Sequence, residues 1–281
     1  SPTESARLTL THLAGASAPR ATSHDFVRFA VLIARQMPGV PIKTIWSREE
    51  DMTHGWYHPT TQCKLVGGLD AGGNLTALHM RISGQSILAT VIPNALQNGR
   101  DPATFQGLNP QGPEGQLGYT IPNLLIDHAM RNPHVPPGFW RGVNNNQNAI
   151  YLESFMDELA HAAKQDPLEF RRKLMANHPK HLAVLNAVAE KAGWGTPAPT
   201  GVFRGPAQHM GYGSYVAACA EVSVSDAGVL KIHRIVAATD CGNAVNPQQI
   251  EAQIEGSFVY GLTAMLYGDI TIQDGRVEQE N

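Results

Sequence analysis

The sequence predicts an α+β fold, with mixed sheets and packed helices. Three observations predict it. Apolar residues recur at helical spacing in several windows, most clearly over 149–164. Two pairs of strand-like runs are joined by short Gly-containing turns. Helix and strand signals follow one another without strict βαβ alternation. The 281 residues suffice for one large domain or two ordinary ones. With 42% hydrophobic and 16% charged residues the chain is not disordered, and a net charge of −3 offers no basic footprint for nucleic acid. No apolar run approaches the roughly 20 residues of a membrane span.

Taken in order, residues 24–37 predict a helix, with Phe26, Phe29, Ala30, Ile33 and Met37 on one stripe; Pro38-Gly39 ends it. Pro41–Trp46 reads as a strand. Leu65–Asp70 and Asn74–Ile82 flank Ala71-Gly72-Gly73 as a hairpin. Residues 90–123, rich in Gly, Pro, Asn and Gln, read as a long loop excursion of the functional kind. Over 149–164, Leu152, Phe155, Met156, Leu159 and Ala163 form the apolar stripe, and Glu153, Asp157, Glu158 and His161 lie off it. Asp166-Pro167 starts the next helix, with Glu169 completing a capping box. A third helix runs from about His181 to Ala192 and stops at Gly193. Residues 195–213 read as loop. Val216–Ser225 and Val229–Thr239 read as strands joined by Asp226-Ala227-Gly228. Asn246-Pro247-x-Gln249 caps a last helix through about Tyr267, on which Gly256 and Gly261 would admit a close backbone. A short hairpin, Asp269–Gln273 with Arg276–Glu280, follows.

Three segments carry candidate chemistry. Pro136–Val143, then five amide residues to Asn148, put Arg141 on a stiff loop feeding a helix N-terminus, a setting suited to an oxyanion. A surface Arg stacked on Trp140 is the plainer alternative. His209–Tyr215 holds a Gly-x-Gly-Ser that permits close approach to an anion, or an ordinary tight turn. Asp240–Pro247 opens into a capped helix, which capping alone also explains. The 12 His invite a metal, but His54 and His58 are interrupted by Gly55 and Pro59, and His128 and His134 by Pro133. Cys63, Cys219 and Cys241 are too scattered for a zinc site, an iron–sulfur cluster or a disulfide framework. No metal-ligating residue is predicted. Arg171, Arg172, Lys173 and Lys180 read as a solvated helix face.

The run Pro136–Leu174 resembles the molybdopterin-binding large subunit of the xanthine dehydrogenase/aldehyde oxidase family. It is most similar to the branch of isoquinoline 1-oxidoreductase, nicotinate dehydrogenase and membrane-bound aldehyde dehydrogenase. Trp46–Pro59, Gly211–Val224 and Asp240–Leu262 agree with further motifs of that family, so the resemblance runs from about Leu8 to the end. It implies a molybdenum atom held by an organic pterin, in its cytosine dinucleotide form, and oxidation of an aldehyde or hydroxylation of an N-heteroaromatic ring with water as oxygen source. It implies cofactor contacts from Gly15, Phe139, Trp140, Arg141, Gly142, Gly211, Tyr212, Gly213, Ser214, Gln253 and Gly256. It also implies a partner iron–sulfur small subunit with [2Fe–2S] clusters, a c-type cytochrome subunit, and further segments of the large subunit. Two lobes are expected, residues 1–145 and 146–281.

Two departures qualify that reading. Where the family has a Gly-rich L-G-G-G-F-G-R-R loop, this chain has Leu13-Ala14-Gly15-Ala16-Ser17-Ala18-Pro19-Arg20. Added Cβ atoms restrict positive φ, and Pro19 removes a donor. The family's G-x-G-E-P loop, which supplies its general-base Glu, has no counterpart, so no catalytic residue is assigned. The chain is expected to be a piece of a longer subunit, inactive alone. The alternative function is a non-catalytic binding or assembly module that keeps the fold without the chemistry. A third is an unrelated α+β domain holding a phosphate-bearing ligand through Arg141.

Overall fold

The computed structural model describes residues 25–53, 56–111 and 115–279. Gly15 and the Ala14–Pro19 loop lie outside the described residues. Helix α1 (Asp25–Gln36) forms where expected, but Phe29, Ile33 and Met37 of the expected stripe are exposed and Val27, Ala30 and Ala34 are the half-buried positions among the described residues. Pro41–Trp46, expected as a strand, is irregular, and a short helix α2 (Arg48–Thr53) follows it. β-Propensity makes no strand where no neighbour supplies a ladder.

The first sheet has the order β1-β2-β3. β1 (Thr61–Leu69) and β2 (Leu75–Gly84) form the expected antiparallel hairpin, whose turn is held by Asp70 accepting from the Gly72 and Asn74 amides. β3 (Asn123–Met130) pairs parallel to β2 and was not expected from the sequence. The excursion between them contains α3 (Ile87–Val91) and two short 3₁₀ turns. Buried Asp101 organises it, accepting from the Ser86 hydroxyl at 2.6 Å and the Leu88 and Ala103 amides.

Helix α4 (Asn145–Ala162) begins four residues earlier than expected, within the Asn run. Asn is a weak helix former, because its side chain competes with the backbone. Here those side chains are engaged elsewhere: Asn148 donates to the Thr104 and Gln106 carbonyls, and Asn144 to the Ala103 carbonyl. Helix α5 (Pro167–Leu174) has the expected Asp166 cap, accepting from the Leu168 and Glu169 amides. Glu169 turns to Arg172 rather than back to the cap. Helix α6 (Pro179–Ala192) ends on left-handed Gly193, as expected.

The second sheet has the order β4-β5-β6 and is antiparallel throughout. β5 (Ser214–Val224) and β6 (Leu230–Asp240) match expectation. β4 (Phe203–Gly211) corrects the reading of 195–213 as loop: Gly205 and Pro206 hid a strand that lies at the sheet edge, where Pro is tolerated. Helix α7 (Pro247–Tyr267) and the two-residue strands β7 (Ile272–Gln273) and β8 (Arg276–Val277) complete the chain. None of α7's residues is buried. No neighbour lies within 4 Å of where a Cβ on Gly256 or Gly261 would stand, so the close approach expected there is not made among the described residues. Among the described residues no helix is long and apolar enough to cross a membrane.

The core lies between β2, α4, α5, α6 and the second sheet, with Leu78, Met80, Leu152, Met156, Phe170, Leu185 and Cys219 buried together. Arg171 corrects a further expectation, because it is no solvated residue. Its side chain is 0% exposed and donates to Glu153 Oε2 at 3.0 Å, Asp157 Oδ1 at 2.6 Å and the Glu153 carbonyl at 2.9 Å. Glu153, expected off the apolar stripe, is buried as well. It also accepts from the Tyr119 hydroxyl at 2.7 Å and the Gln208 amide at 3.1 Å. One ion pair thus joins α4, α5, β4 and the loop before β3.

Candidate functional site

The loop Pro136–Asn144 reaches α4 through two consecutive left-handed residues, Gly142 (φ 96°) and Val143 (φ 55°). Positive φ is strained for Val, and the surroundings hold it: Val143 is buried, its amide donates to the Trp140 carbonyl at 2.7 Å, and its carbonyl lies 3.3 Å from His58 Nε2. Gly142 is required sterically, since a Cβ there would stand 2.0 Å from Asn146 Oδ1. Asn146 in turn donates to the Arg141 carbonyl at 2.8 Å. Upstream, Gly138 packs against the Trp56 side chain, and its amide donates to the Tyr57 carbonyl at 2.8 Å. Phe139 is half-buried.

This loop meets α7. Arg141 Nη2 donates to Gln253 Oε1 at 3.2 Å and to the Gln253 carbonyl at 3.3 Å. Trp140 stacks on Tyr260 with centroids 4.5 Å apart and planes at 30°. The Arg141 guanidinium carbon lies 5.5 Å from the Tyr260 ring centroid, within cation–π range. His58 meets Trp140 edge-on at 5.5 Å and 80°. Burial is the main influence holding the His58 imidazole below its usual pKa, so it stands in the neutral form at pH 7. Burial likewise raises the Tyr260 phenol, against the Arg141 charge and backbone beside it. Among the described residues no carboxylate forms an ion pair with Arg141, and its Nε and Nη1 carry no hydrogen bond.

The Gly211–Ser214 segment is the turn between β4 and β5, with Gly211 paired to Ser214. Tyr212 (φ 53°) and Gly213 (φ 81°) form its two-residue tip, the doubly left-handed geometry that suits hairpin twist. It comes to the loop through Asn145, the first residue of α4. A Cβ on Gly211 would lie 3.5 Å from the Asn145 side chain, and His209 Nε2 is 2.9 Å from Asn145 Oδ1. Burial, then the neighbouring His181, pushes the His209 pKa down to about 4. Uncharged His209 then donates from Nε2 to Asn145.

The structure therefore brings Trp140, Arg141, Gly142 and Gln253 together, and sets the 211–214 turn beside the same helix start. Gly256 lies on α7 without a side-chain contact to the cluster. The sequence reading missed Tyr260, Asn145 and His58 as members. Only Tyr260 had a usable signal, since it follows Gln253 by seven residues, two helical turns on one face. In the Asp240–Pro247 segment Asp240 accepts from the Gly242 amide, and Asn246 caps α7 by accepting from the Gln249 amide. Among the described residues no group of three His, Cys, Asp or Glu is placed to hold a metal ion. An open cleft of about 730 Å³, lined by Pro110, Tyr119, Asn177 and His178 among others, includes no residue of this cluster.

Two molybdopterin cofactor-binding domain families match the chain, one over residues 102–175 and one over 149–281. The beta chain of isoquinoline 1-oxidoreductase from Brevundimonas diminuta is 28% identical over 86% of this chain and 31% of its own length. A nicotinate dehydrogenase subunit from Pseudomonas putida is 28% identical over 92% of this chain and 23% of its own. A membrane-bound aldehyde dehydrogenase from Gluconacetobacter polyoxogenes, whose name carries pyrroloquinoline quinone, is 24% identical over 99% of this chain and 39% of its own. The chain thus spans between about a quarter and two-fifths of these relatives. Quinoline 2-oxidoreductase from Pseudomonas putida 86 shares the fold over 73% of this chain and 27% of its own, with a TM-score of 0.50 at 19% identity. Matched from residue 102 to 281 by overlapping molybdopterin-binding domains, the chain belongs to the xanthine dehydrogenase/aldehyde oxidase family, as part of its molybdopterin-binding subunit.

Proposed function

We propose that the chain holds a molybdopterin cofactor, in the cytosine dinucleotide form, within a molybdenum hydroxylase that oxidises aldehydes or hydroxylates N-heteroaromatic compounds. The observation that carries it is the meeting of Arg141 with Gln253 across 112 residues of sequence. The donor set fits an anionic, oxygen-rich group. Arg141 keeps Nε and Nη1 available, and Gln253 keeps its Nε2 donors while Oε1 fixes the guanidinium. The Asn146 bond and left-handed Gly142 hold the loop rigid, so binding orders little that is mobile.

In this reading Arg141 and Gln253 orient the cofactor, and Phe139 and Trp140 shape the space in front of it. Tyr212, Gly213 and Ser214 approach it from the β4–β5 turn, with Gly211 giving that turn room beside Asn145. Gly15 and Gly256 add close backbone approaches. The bound cofactor supplies the two-electron redox chemistry. No residue of the chain is assigned as general base. The lobes are 1–145 and 146–281, and the partners are an iron–sulfur subunit with [2Fe–2S] clusters, a c-type cytochrome and further segments of the large subunit.

The test is metal and pterin analysis of the purified native complex. Molybdenum with a cytosine-linked pterin is expected, and Arg141→Met should lower the content of both. A folded complex with neither would overturn the proposal and favour a binding or assembly module.

A further inference from the structure

We propose that Tyr260 is a positioning residue for the cofactor site, setting Trp140 and Arg141 through a single aromatic ring. The inference rests on the reading of Arg141 as a cofactor contact.

Gln253 and Tyr260 stand two turns apart on one face of α7, and both reach the same loop. Gln253 takes only the Nη2 end of the guanidinium. That leaves Arg141 free to swing about its bond to Gln253 unless something supports its plane. The Tyr260 ring lies under the guanidinium carbon at 5.5 Å and is stacked on the preceding side chain, Trp140, at 4.5 Å. Trp140 is closed from another side by His58, whose ring nitrogens lie 3.1 and 3.3 Å from the Pro59 and Val143 carbonyls. Trp140 is thereby clamped, and Tyr260 is the member of the clamp that also meets the charge.

The position calls for the ring. Tyr260 is 37% exposed, so neither core packing nor helix formation demands an aromatic there. Several other large apolar residues of α7, Val259, Met265, Leu266 and Tyr267, are more exposed. The half-buried face of α7 is instead formed by Ile250, Ile254, Phe258 and Leu262, so Tyr260 is not what seats the helix.

The test compares Tyr260→Leu and Tyr260→Phe in the native complex, each with Arg141 intact and with Arg141→Met. The readout is the rate at which bound molybdenum and pterin are lost on dilution. Loss of a cation–π support predicts about 3–30-fold faster release for Tyr260→Leu, and Tyr260→Phe, which keeps the ring, should stay within about twofold. In the Arg141→Met background Tyr260→Leu should add a clearly smaller factor, because only the part carried by Trp140 remains. An equal factor in both backgrounds would overturn the assignment, and so would release from Tyr260→Phe as fast as that expected of Tyr260→Leu. The Phe comparison stands even where the Leu variant does not fold. Absence of molybdenum from the unaltered complex would instead defeat the cofactor reading itself, and an Arg141→Met variant with normal release would defeat the role given to Arg141.

Discussion

Replacing Arg171 by Met should destabilise the fold by about 3–5 kcal/mol, the range for removing one partner of a buried ion pair. The structure explains why the cost is high. Burial works against the Arg171 charge, yet Glu153, Tyr119 and Asp157 together outweigh it and raise its pKa. Removing the guanidinium leaves Glu153, 8% exposed, without its cation. The remaining donors, the Tyr119 hydroxyl and the Gln208 amides, are neutral. The Glu153 and Pro167 carbonyls also lose a donor. Against a typical total of about 5–15 kcal/mol this is a large share. Urea unfolding followed by circular dichroism measures it. Adding Glu153→Leu should recover part of the loss, because the stranded charge is gone, although Tyr119 and Gln208 then lack an acceptor. A single-variant cost under about 1 kcal/mol, or a double variant equal to the sum of the singles, would refute the reasoning.

Two further outcomes are expected. Gly142→Ala introduces a Cβ at φ 96°, 2.0 Å from Asn146 Oδ1, and must displace the side chain that holds the Arg141 carbonyl. A cost of about 2–3 kcal/mol in unfolding free energy should accompany weakened cofactor retention, and unchanged retention would count against the loop geometry. His209, with its pKa lowered to about 4 from 6.5, binds a proton less readily folded than unfolded. Stability should therefore fall as pH drops from 6.5 to 4, by up to about 3 kcal/mol, and His209→Gln should flatten that part of the pH profile of urea unfolding.

The elements that the sequence revealed carry their determinants locally. Asp166-Pro167 starts α5, Gly193 stops α6, and the Asp70 turn closes β1 onto β2, each through contacts within five residues. What it concealed depends on distant partners. β3 is an ordinary apolar run until β2 pairs with it, and β4 contains a Pro acceptable only at an edge. The start of α4 was hidden because Asn side chains favour turns locally, and carbonyls of Ala103, Thr104 and Gln106, over 40 residues away, engage Asn144 and Asn148 instead. Arg171 looked solvated because its two acidic partners lie 14 and 18 residues upstream on another helix.

The same division explains the candidate site. Gly142 and Gly213 mark left-handed turns, which one residue type announces by itself. Arg141 became informative only through Gln253, and Tyr260 only through both, since nothing in an isolated Tyr says which ring or charge it will meet. The contact also joins the two matched stretches, because residue 141 lies in the first and residues 253 and 260 in the second. A clamp across that junction, made by partly exposed residues, adds little to a core that already buries Leu152, Met156 and Phe170. Its cost in ordered side chains is better explained by the need to hold one guanidinium still than by stability.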